Sequence, residues 1–268
     1  MESLDFYQKE FNKYLRSIYF LKEPKDLYNP IDYILKNGGK RIRPVLTLMA
    51  CESVSKNYKN SLEAATSIEL FHNFSLMHDD IMDSAMVRRG KETAHKIWGV
   101  NSAILSGDAL FVLSYQRLKN YSSDIFYKLT NLLSETALFV CEGQSMDLGF
   151  ETKNSTSIDD YLKMIKLKTA VLIGCALKMG SIVGDTSIIN QDLFYDFGVY
   201  LGIAFQLQDD FLDLYGDKEA FGKKIGGDIL ENKKTILYHI SMMNSKSEQK
   251  TKLLSLYSDK NLESSKKI

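Results

Sequence analysis

Leu129-Thr130-Asn131-Leu132-Leu133-Ser134-Glu135-Thr136-Ala137-Leu138-Phe139-Val140 repeats apolar or small side chains at Leu129, Leu132, Leu133, Thr136, Ala137 and Val140, with Leu138 and Phe139 outside that series. Steps of three and four residues define one face of an α-helix, not the two-residue alternation of a strand. The same spacing returns in Leu162, Ile165, Leu167, Ala170, Leu172 and Ile173. Only Pro24, Pro30 and Pro44 interrupt the chain, so residues 45 to 268 lack the strongest helix breaker altogether. The pattern predicts an all-α protein with helices near 3–20, 41–56, 60–82, 101–120, 124–149, 158–183, 188–215 and 234–256. The polar break at Asn154-Ser155-Thr156-Ser157 offers Thr156 or Ser157 as a helix cap.

Composition sets the outer limits. A chain of 268 residues, 44% hydrophobic, can bury a large core, and no repeat or linker divides it, so a single large helical domain over 1–268 is expected. Thirty-four basic and 34 acidic residues cancel, which gives no global attraction to nucleic acid. Cys51, Cys141 and Cys175 are too far apart to form a redox or zinc motif. No apolar run approaches the roughly 18 residues of a membrane span, and the start has no basic region followed by an apolar one. A reduced, cytoplasmic protein without an integral membrane segment is the expectation.

Two acidic clusters stand out: Asp79-Asp80-Ile81-Met82-Asp83 and Asp209-Asp210-Phe211-Leu212-Asp213. At about 100° per residue, each set of three aspartates falls on one helical stripe. Like charges at i, i+4 repel by a few tenths of a kcal/mol, a cost that a purely structural helix has no reason to incur twice. A solvated acidic face fits poorly, because Phe74, Leu76, Met77 and Ile81 flank the first cluster, and Phe205, Leu207, Phe211 and Leu212 the second. Carboxylates among such neighbours need cations. Oxygen-only donors suit Mg²⁺, which shares its shell with substrate phosphates. A calcium loop starting at Asp79 is excluded, since it would need Gly at Ser84 and Glu at Gly90. The implied substrate carries a diphosphate.

Basic groups accompany the clusters. Gly38-Gly39-Lys40-Arg41-Ile42-Arg43-Pro44 opens a helix, and Arg88-Arg89-Gly90 follows the first aspartates. Arginine forks and helix N-terminal amides bind phosphate oxygens, although either motif alone is commonly a surface feature. His72 lies two turns before Asp79 on the same face, whereas His78 and His95 read as ordinary packing residues. Residues 216–234, with Gly216, Gly222, Gly226, Gly227 and five lysines, read as a flexible basic loop behind the second cluster.

Taken together, these motifs resemble the polyprenyl synthetase family, the trans-isoprenyl diphosphate synthases, over residues 30 to about 240. The matching features are Gly-Gly-Lys-Arg-Ile-Arg-Pro at 38–44, His72, the first Asp-Asp-x-x-Asp with its Arg-Arg-Gly, Gly107-Asp108, Lys168-Thr169-Ala170, Phe205-Gln206 before the second Asp-Asp-x-x-Asp, and the Gly-Lys loop from 222. The resemblance implies an isoprenoid-synthase fold with a central cavity between antiparallel helices, and a homodimer. It implies that Lys40, Arg43, His72 and Arg89 bind isopentenyl diphosphate. Arg88, Lys168, Thr169, Gln206, Lys223 and Lys233 would hold the allylic diphosphate. Asp79, Asp83 and Asp209 would ligate Mg²⁺, three ions per site, with Asp80, Asp210 and Asp213 orienting them or binding through water. The implied reaction is head-to-tail condensation by ionisation, coupling and proton loss, with the Gly-Lys loop as a lid.

The sequence departs from the family where Lys224 follows Lys223 in place of proline, and where Asn232 stands in place of glycine. Family chains also continue with further helices beyond the segment near Leu253, so the chain reads as truncated at Ile268. Phe74 and Ser75, five and four residues before the first motif, resemble the floor of enzymes that stop at the twenty-carbon geranylgeranyl product, with farnesyl next. Ser75 is offset by about 40° from Asp79 and Phe74 by about 140°, so neighbouring helices must share that wall. A terpene cyclase is the rival enzyme, but it has no use for Lys40, Arg43 and Arg89. A non-catalytic subunit is the rival without activity, but such subunits commonly lose aspartates that this chain keeps.

Overall fold

The computed structural model describes residues 2–152, 156–216 and 226–258. Contacts group the chain into two compact units, Met1–Glu135 with Leu172–Gly198, and Thr136–Val171 with Val199–Ile268. Its elements are α1 (Leu4–Ser17), α2 (Lys25–Lys36), α3 (Ile42–Ser55), a 3₁₀ turn (Tyr58–Ser61), α4 (Leu62–Met82), the strands β1 (Val87–Arg88) and β2 (Lys91–Glu92), α5 (Ala94–Trp98), α6 (Val100–Leu118), α7 (Ser123–Thr152), α8 (Ile158–Ile165), a π-helical stretch (Lys166–Ala170), α9 (Val171–Val183), α10 (Ile188–Tyr215), α11 (Gly227–Leu230), α12 (Ile236–Asn244) and α13 (Ser247–Ser258). The chain is all-α apart from one two-residue ribbon among the described residues.

In the first unit, α4 is the central helix. It packs against α6, α3 and α2, and Tyr7, Phe11 and Leu15, one stripe of α1 at i, i+4 and i+8, enter the same core. Ile31, Leu48, Leu70, Met77 and Leu110 complete it. The helix α2 was not expected, because Pro24 and Pro30 read as breakers. Pro24 takes the N-cap position, where a missing N–H costs nothing. Pro30 lies inside the helix and cannot donate to the Asp26 carbonyl. Ser102 on α6 donates to that carbonyl instead, and Ser106 donates to the Leu27 carbonyl at 2.9 Å. One hydroxyl from a neighbouring helix thus takes the place of the bond that Pro30 cannot make, and a second adds to the next carbonyl.

In the second unit, Ser157 closes a reciprocal capping box with Asp160 at the start of α8. The expected helix at 158–183 is interrupted by the π-helical stretch, and the one expected at 234–256 breaks into α12 and α13 at Ser245 and Lys246. The stretch Lys166–Ala170 lies close under α7: a Cβ on Gly143 would come within 2.2 Å of the Lys168 backbone nitrogen. Only a glycine lets α7 approach Lys168 this closely.

The same logic gives a test of packing in the first unit. A Cβ on Gly180 of α9 would lie 2.2 Å from the Thr47 carbonyl oxygen on α3, a backbone atom that cannot swing aside. Gly180→Ala should therefore lower unfolding stability by about 1–3 kcal/mol in denaturant melts. Gly149→Ala, where a Cβ meets no atom within 4 Å, should instead raise it by roughly 0.5–1 kcal/mol.

Candidate active site

In the first unit, α4 carries Glu69, His72, Asn73, Asp79 and Asp80 along its length, with Asp83 at its C-cap. Beyond it the β1–β2 ribbon turns at Arg89-Gly90, both with positive φ (54° and 74°), as a tight hairpin with right-handed twist requires. This places Arg88 back over the aspartates. Its Nε donates to Asp80 Oδ1 at 2.5 Å, and its Nη2 donates to Asp79 Oδ2 at 3.2 Å. Burial pushes the Asp80 carboxyl above its usual value and Arg88 opposes that shift. Asp80 is buried and Asp83 exposed.

The second half of the hairpin turn reaches the glycine loop. Arg89 Nη1 donates to the Gly38 carbonyl, and its guanidinium lies where a Cβ on Gly39 would be, 2.8 Å away. Gly38 and Gly39 adopt φ of 76° and 128°, open to glycine and costly for other residues. Arg43 Nη1 donates to His72 Nε2 at 3.2 Å. Because a guanidinium has no acceptor, His72 must be neutral with its proton on Nδ1. Desolvation and then Arg43, Arg89, Arg88 and Arg41 hold the His72 imidazole well below its usual pKa. Desolvation lowers the Arg43 guanidinium to about 10, against the opposing field of Glu69. Lys40 is exposed beside them, its carbonyl accepting from Gln8 of α1 at 3.0 Å. The four residues expected to bind isopentenyl diphosphate thus belong to one unit.

In the second unit, Lys168, Thr169, Gln206, Asp210, Asn232 and Lys233 line one cavity of about 110 Å³. Lys168 Nζ pairs with Asp147 Oδ2 at 2.5 Å. Thr169 Oγ1 donates to Gln206 Oε1 at 3.2 Å, and Gln206 Nε2 donates to Asp210 Oδ1 at 3.0 Å. Tyr161 donates its hydroxyl to Asp210 Oδ2, which also accepts from the Ile236 amide at 3.4 Å. Asp210 is thereby held by three protein donors, a support more than a free ligand. Asp213 Oδ2 accepts from the Asp228 amide at 3.0 Å. Burial, then the charge of Asp213, raises the Asp228 carboxyl to about 6. Desolvation works to lower the Lys233 ammonium, but Glu231 at 2.7 Å and Asp228 outweigh it and keep it above the usual lysine value. Lys223 lies outside the described residues.

Three participants escaped the sequence reading: Tyr161, Asp147 and Asp228. Tyr161 precedes Lys168 by seven residues, two turns along one face, which is a usable signal. Asp147, a lone acid between Gly143 and Phe150 on an apolar helix, is a weaker one. Asp228 was hidden inside the glycine-lysine segment. His78, left as a packing residue, does pack: its Nε2 bonds the Ile104 carbonyl at 3.1 Å, over Gly107.

The sequence matches the polyprenyl synthetase family over residues 24–268. The chain belongs to that family. It is 38% identical over 231 residues to the geranylgeranyl pyrophosphate synthase of Geoglobus acetivorans, covering 85% of this chain and 72% of the relative. It is 36% identical over 234 residues to a short chain isoprenyl diphosphate synthase of Methanothermobacter thermautotrophicus, covering 87% and 72%. A crystal structure of a geranylgeranyl pyrophosphate synthase superposes with a TM-score of 0.95 at 48% identity, covering 100% of this chain and 82% of that one. Family members are prenyltransferases, magnesium-dependent in general, and act on isoprenoid diphosphates. Carboxylate oxygens, which α4 carries in the first unit and α10 in the second, are the donor type that such a hard ion prefers. Among the described residues no helix is long and apolar enough to cross a membrane.

A neutral His72 has a measurable consequence. Its folded-state pKa lies below the unfolded value of about 6.5, so under that pH the unfolded chain binds the extra proton and stability falls as pH falls. Between pH 7.5 and 5.5, His72→Gln should lose about 1 kcal/mol less unfolding stability than the unaltered chain in urea melts. Equal losses would mean that His72 is protonated in the folded state.

Proposed function

We propose that the chain condenses isopentenyl diphosphate with an allylic diphosphate, head to tail, to give a short-chain trans-polyprenyl diphosphate, geranylgeranyl in preference to farnesyl. The observation that carries this reading is the arginine pocket of the first unit, Arg43 with His72 and Arg89 over Gly39, beside but separate from the Asp79–Asp80–Arg88 cluster. One diphosphate would require only the carboxylate cluster. A second cluster of basic groups, beneath which Glu69 is buried against Arg41, speaks for coupling of two diphosphates and against a cyclase.

In this reading Lys40, Arg43 and Arg89 fix the isopentenyl diphosphate, and His72 keeps Arg43 directed without adding a positive charge. By family likeness Asp79, Asp83 and Asp209 would hold magnesium, three ions, which would supply positive charge for the departing allylic diphosphate. Lys168, Thr169, Gln206, Lys233 and Arg88 bind the same diphosphate, with Lys223 or Lys224 closing over it. Asp80 and Asp210 keep their neighbours in place, each tied down by protein donors, and Asp213 does so with Asp228. No protein nucleophile is needed. Apolar walls keep water away while the double bond of one substrate attacks the other. We place this enzyme in the cytoplasm as a homodimer, by family likeness.

Product length follows from the wall around Phe74. Its ring meets Phe71 at 5.4 Å, Phe111 of α6 at 5.2 Å and His78 at 4.9 Å between centroids, and Phe111 meets Tyr115 at 5.2 Å. Ser75 turns its hydroxyl back to the His72 carbonyl at 2.8 Å. In this reading the floor is an aromatic block shared by α4 and α6, and Phe74 is its phenylalanine nearest the motif.

Incubation with isopentenyl diphosphate, each allylic diphosphate and Mg²⁺, followed by chain-length analysis, tests the function. Asp79→Ala and Asp209→Ala should each lower turnover at least about a hundredfold, and near-normal activity in either would sink the metal roles. In the same assay, Phe74→Ala should yield products longer than twenty carbons. An unchanged product distribution would remove Phe74 from the floor.

A further inference from the structure

Arg41 lies in the middle of the basic motif, yet it is buried where Lys40 and Arg89 are exposed and Arg43 is half-buried. It is 6% exposed, and its partner Glu69 on α4 is 1% exposed. Arg41 Nη1 donates to Glu69 Oε1, and its Nη2 donates to the Leu35 carbonyl near the end of α2. Asn73, one turn beyond Glu69, donates its Nδ2 to the same Oε1 at 2.8 Å and to the Glu69 carbonyl at 2.7 Å. The backbone at Arg41 is left-handed, with φ of 51°, immediately before α3 begins. A non-glycine residue holds that conformation only where its surroundings fix it.

This geometry dictates how the motif presents its charges. The strained turn at Arg41 drives one side chain inward and leaves its neighbours on the other side of the loop. Inside, the guanidinium ties the end of α2, the start of α3 and the middle of α4 together. The charge of Glu69 also acts on Arg43 and Arg89 and opposes the desolvation that lowers each of them. A buried anion beneath three arginines is what lets them gather before any phosphate arrives.

We propose that Glu69 and Arg41 are positioning residues for isopentenyl diphosphate: their buried pair sets the 38–43 turn so that Lys40, Arg43 and Arg89 converge on one anion. Neither touches the substrate. The inference rests on the function proposed above and adds to it two residues with a single, substrate-selective effect.

The test is steady-state kinetics with both substrates varied, together with calorimetric binding of isopentenyl diphosphate alone. Glu69→Gln keeps the shape and removes the charge. It should raise KM for isopentenyl diphosphate roughly tenfold or more, weaken calorimetric binding in parallel, and leave KM for the allylic substrate within about twofold and kcat within about threefold. The double variant Arg41→Met with Glu69→Leu replaces the ion pair by apolar side chains that fill the same space, which preserves folding. It should melt near the unaltered chain yet keep the raised isopentenyl KM. Recovery of normal KM in the double variant, or equal KM shifts for both substrates in Glu69→Gln, would overturn the proposal by reducing the pair to a fold-stabilising role. Failure of the unaltered chain to couple the two substrates would count against the function itself, and the calorimetric arm separates that outcome from this one.

Discussion

Charges of like sign crowded onto apolar helices are the constraint to which the rest of this structure answers. An ionised carboxylate among apolar neighbours is costly unless cations or donors surround it, and so is a cluster of arginines without anions. The first unit solves both problems within about twenty residues of α4. At one end Arg88, carried back by the hairpin, bridges Asp79 and Asp80. Toward the other, Glu69 lies beneath Arg41 and within reach of the fields of Arg43 and Arg89. The second unit uses neutral donors where the first uses a cation: Tyr161, Gln206 and a backbone amide converge on Asp210. In both clusters the middle aspartate is buried and held by protein donors.

Backbone irregularities occur where those side chains must be aimed. Lys168 and Thr169 lie in the π-helical stretch, and the extra residue in its turn rotates both relative to a continuous helix. Gly143 admits the bulge against α7. On the first unit, Arg41 and Arg89 adopt left-handed conformations on two loops that touch through the Gly38 carbonyl. Each distortion has a specific restraint: the buried ion pair for Arg41, and the two-residue ribbon with its following glycine for Arg89.

The helices were legible because their signal is local: period, capping residues and the absence of proline lie in a few turns of sequence. So were both aspartate motifs and the arginines around them, since each is a run of adjacent residues. What was not legible depends on partners distant in the chain. Pro30 reads as a breaker until Ser102, some seventy residues later, repairs the Asp26 carbonyl. The π-helical stretch keeps the apolar period of the helix around it and is distinguished only by what packs on it. Tyr161 and Asp228 become site residues through contacts with Asp210 and Asp213 on α10, and no local spacing ties either of them to that helix. Arg41 was legible as a basic residue, but its direction was not. A sequence shows four adjacent positions of a motif with equal weight, and only burial tells the inward one from the others.

That distinction bears on how one protein tells two diphosphates apart. Both substrates carry the same head group, so recognition of the phosphate alone cannot sort them. In the proposed reaction, the first unit offers a pocket in which Glu69 is buried and already paired with Arg41, which would leave the positive charge of Lys40, Arg43 and Arg89 for a ligand that brings no metal. Asp79 and Asp80, by contrast, present negative charge that repels a bare diphosphate and welcomes one accompanied by cations. Neutral His72 keeps the first pocket from gaining a further charge, and Arg88 keeps the second from repelling its ligand outright. The sorting is electrostatic. Under the proposed function, the diphosphate that must leave would be drawn to the carboxylates with its ions, and the one that must stay intact would be held by guanidinium groups whose counter-charge is built into the core.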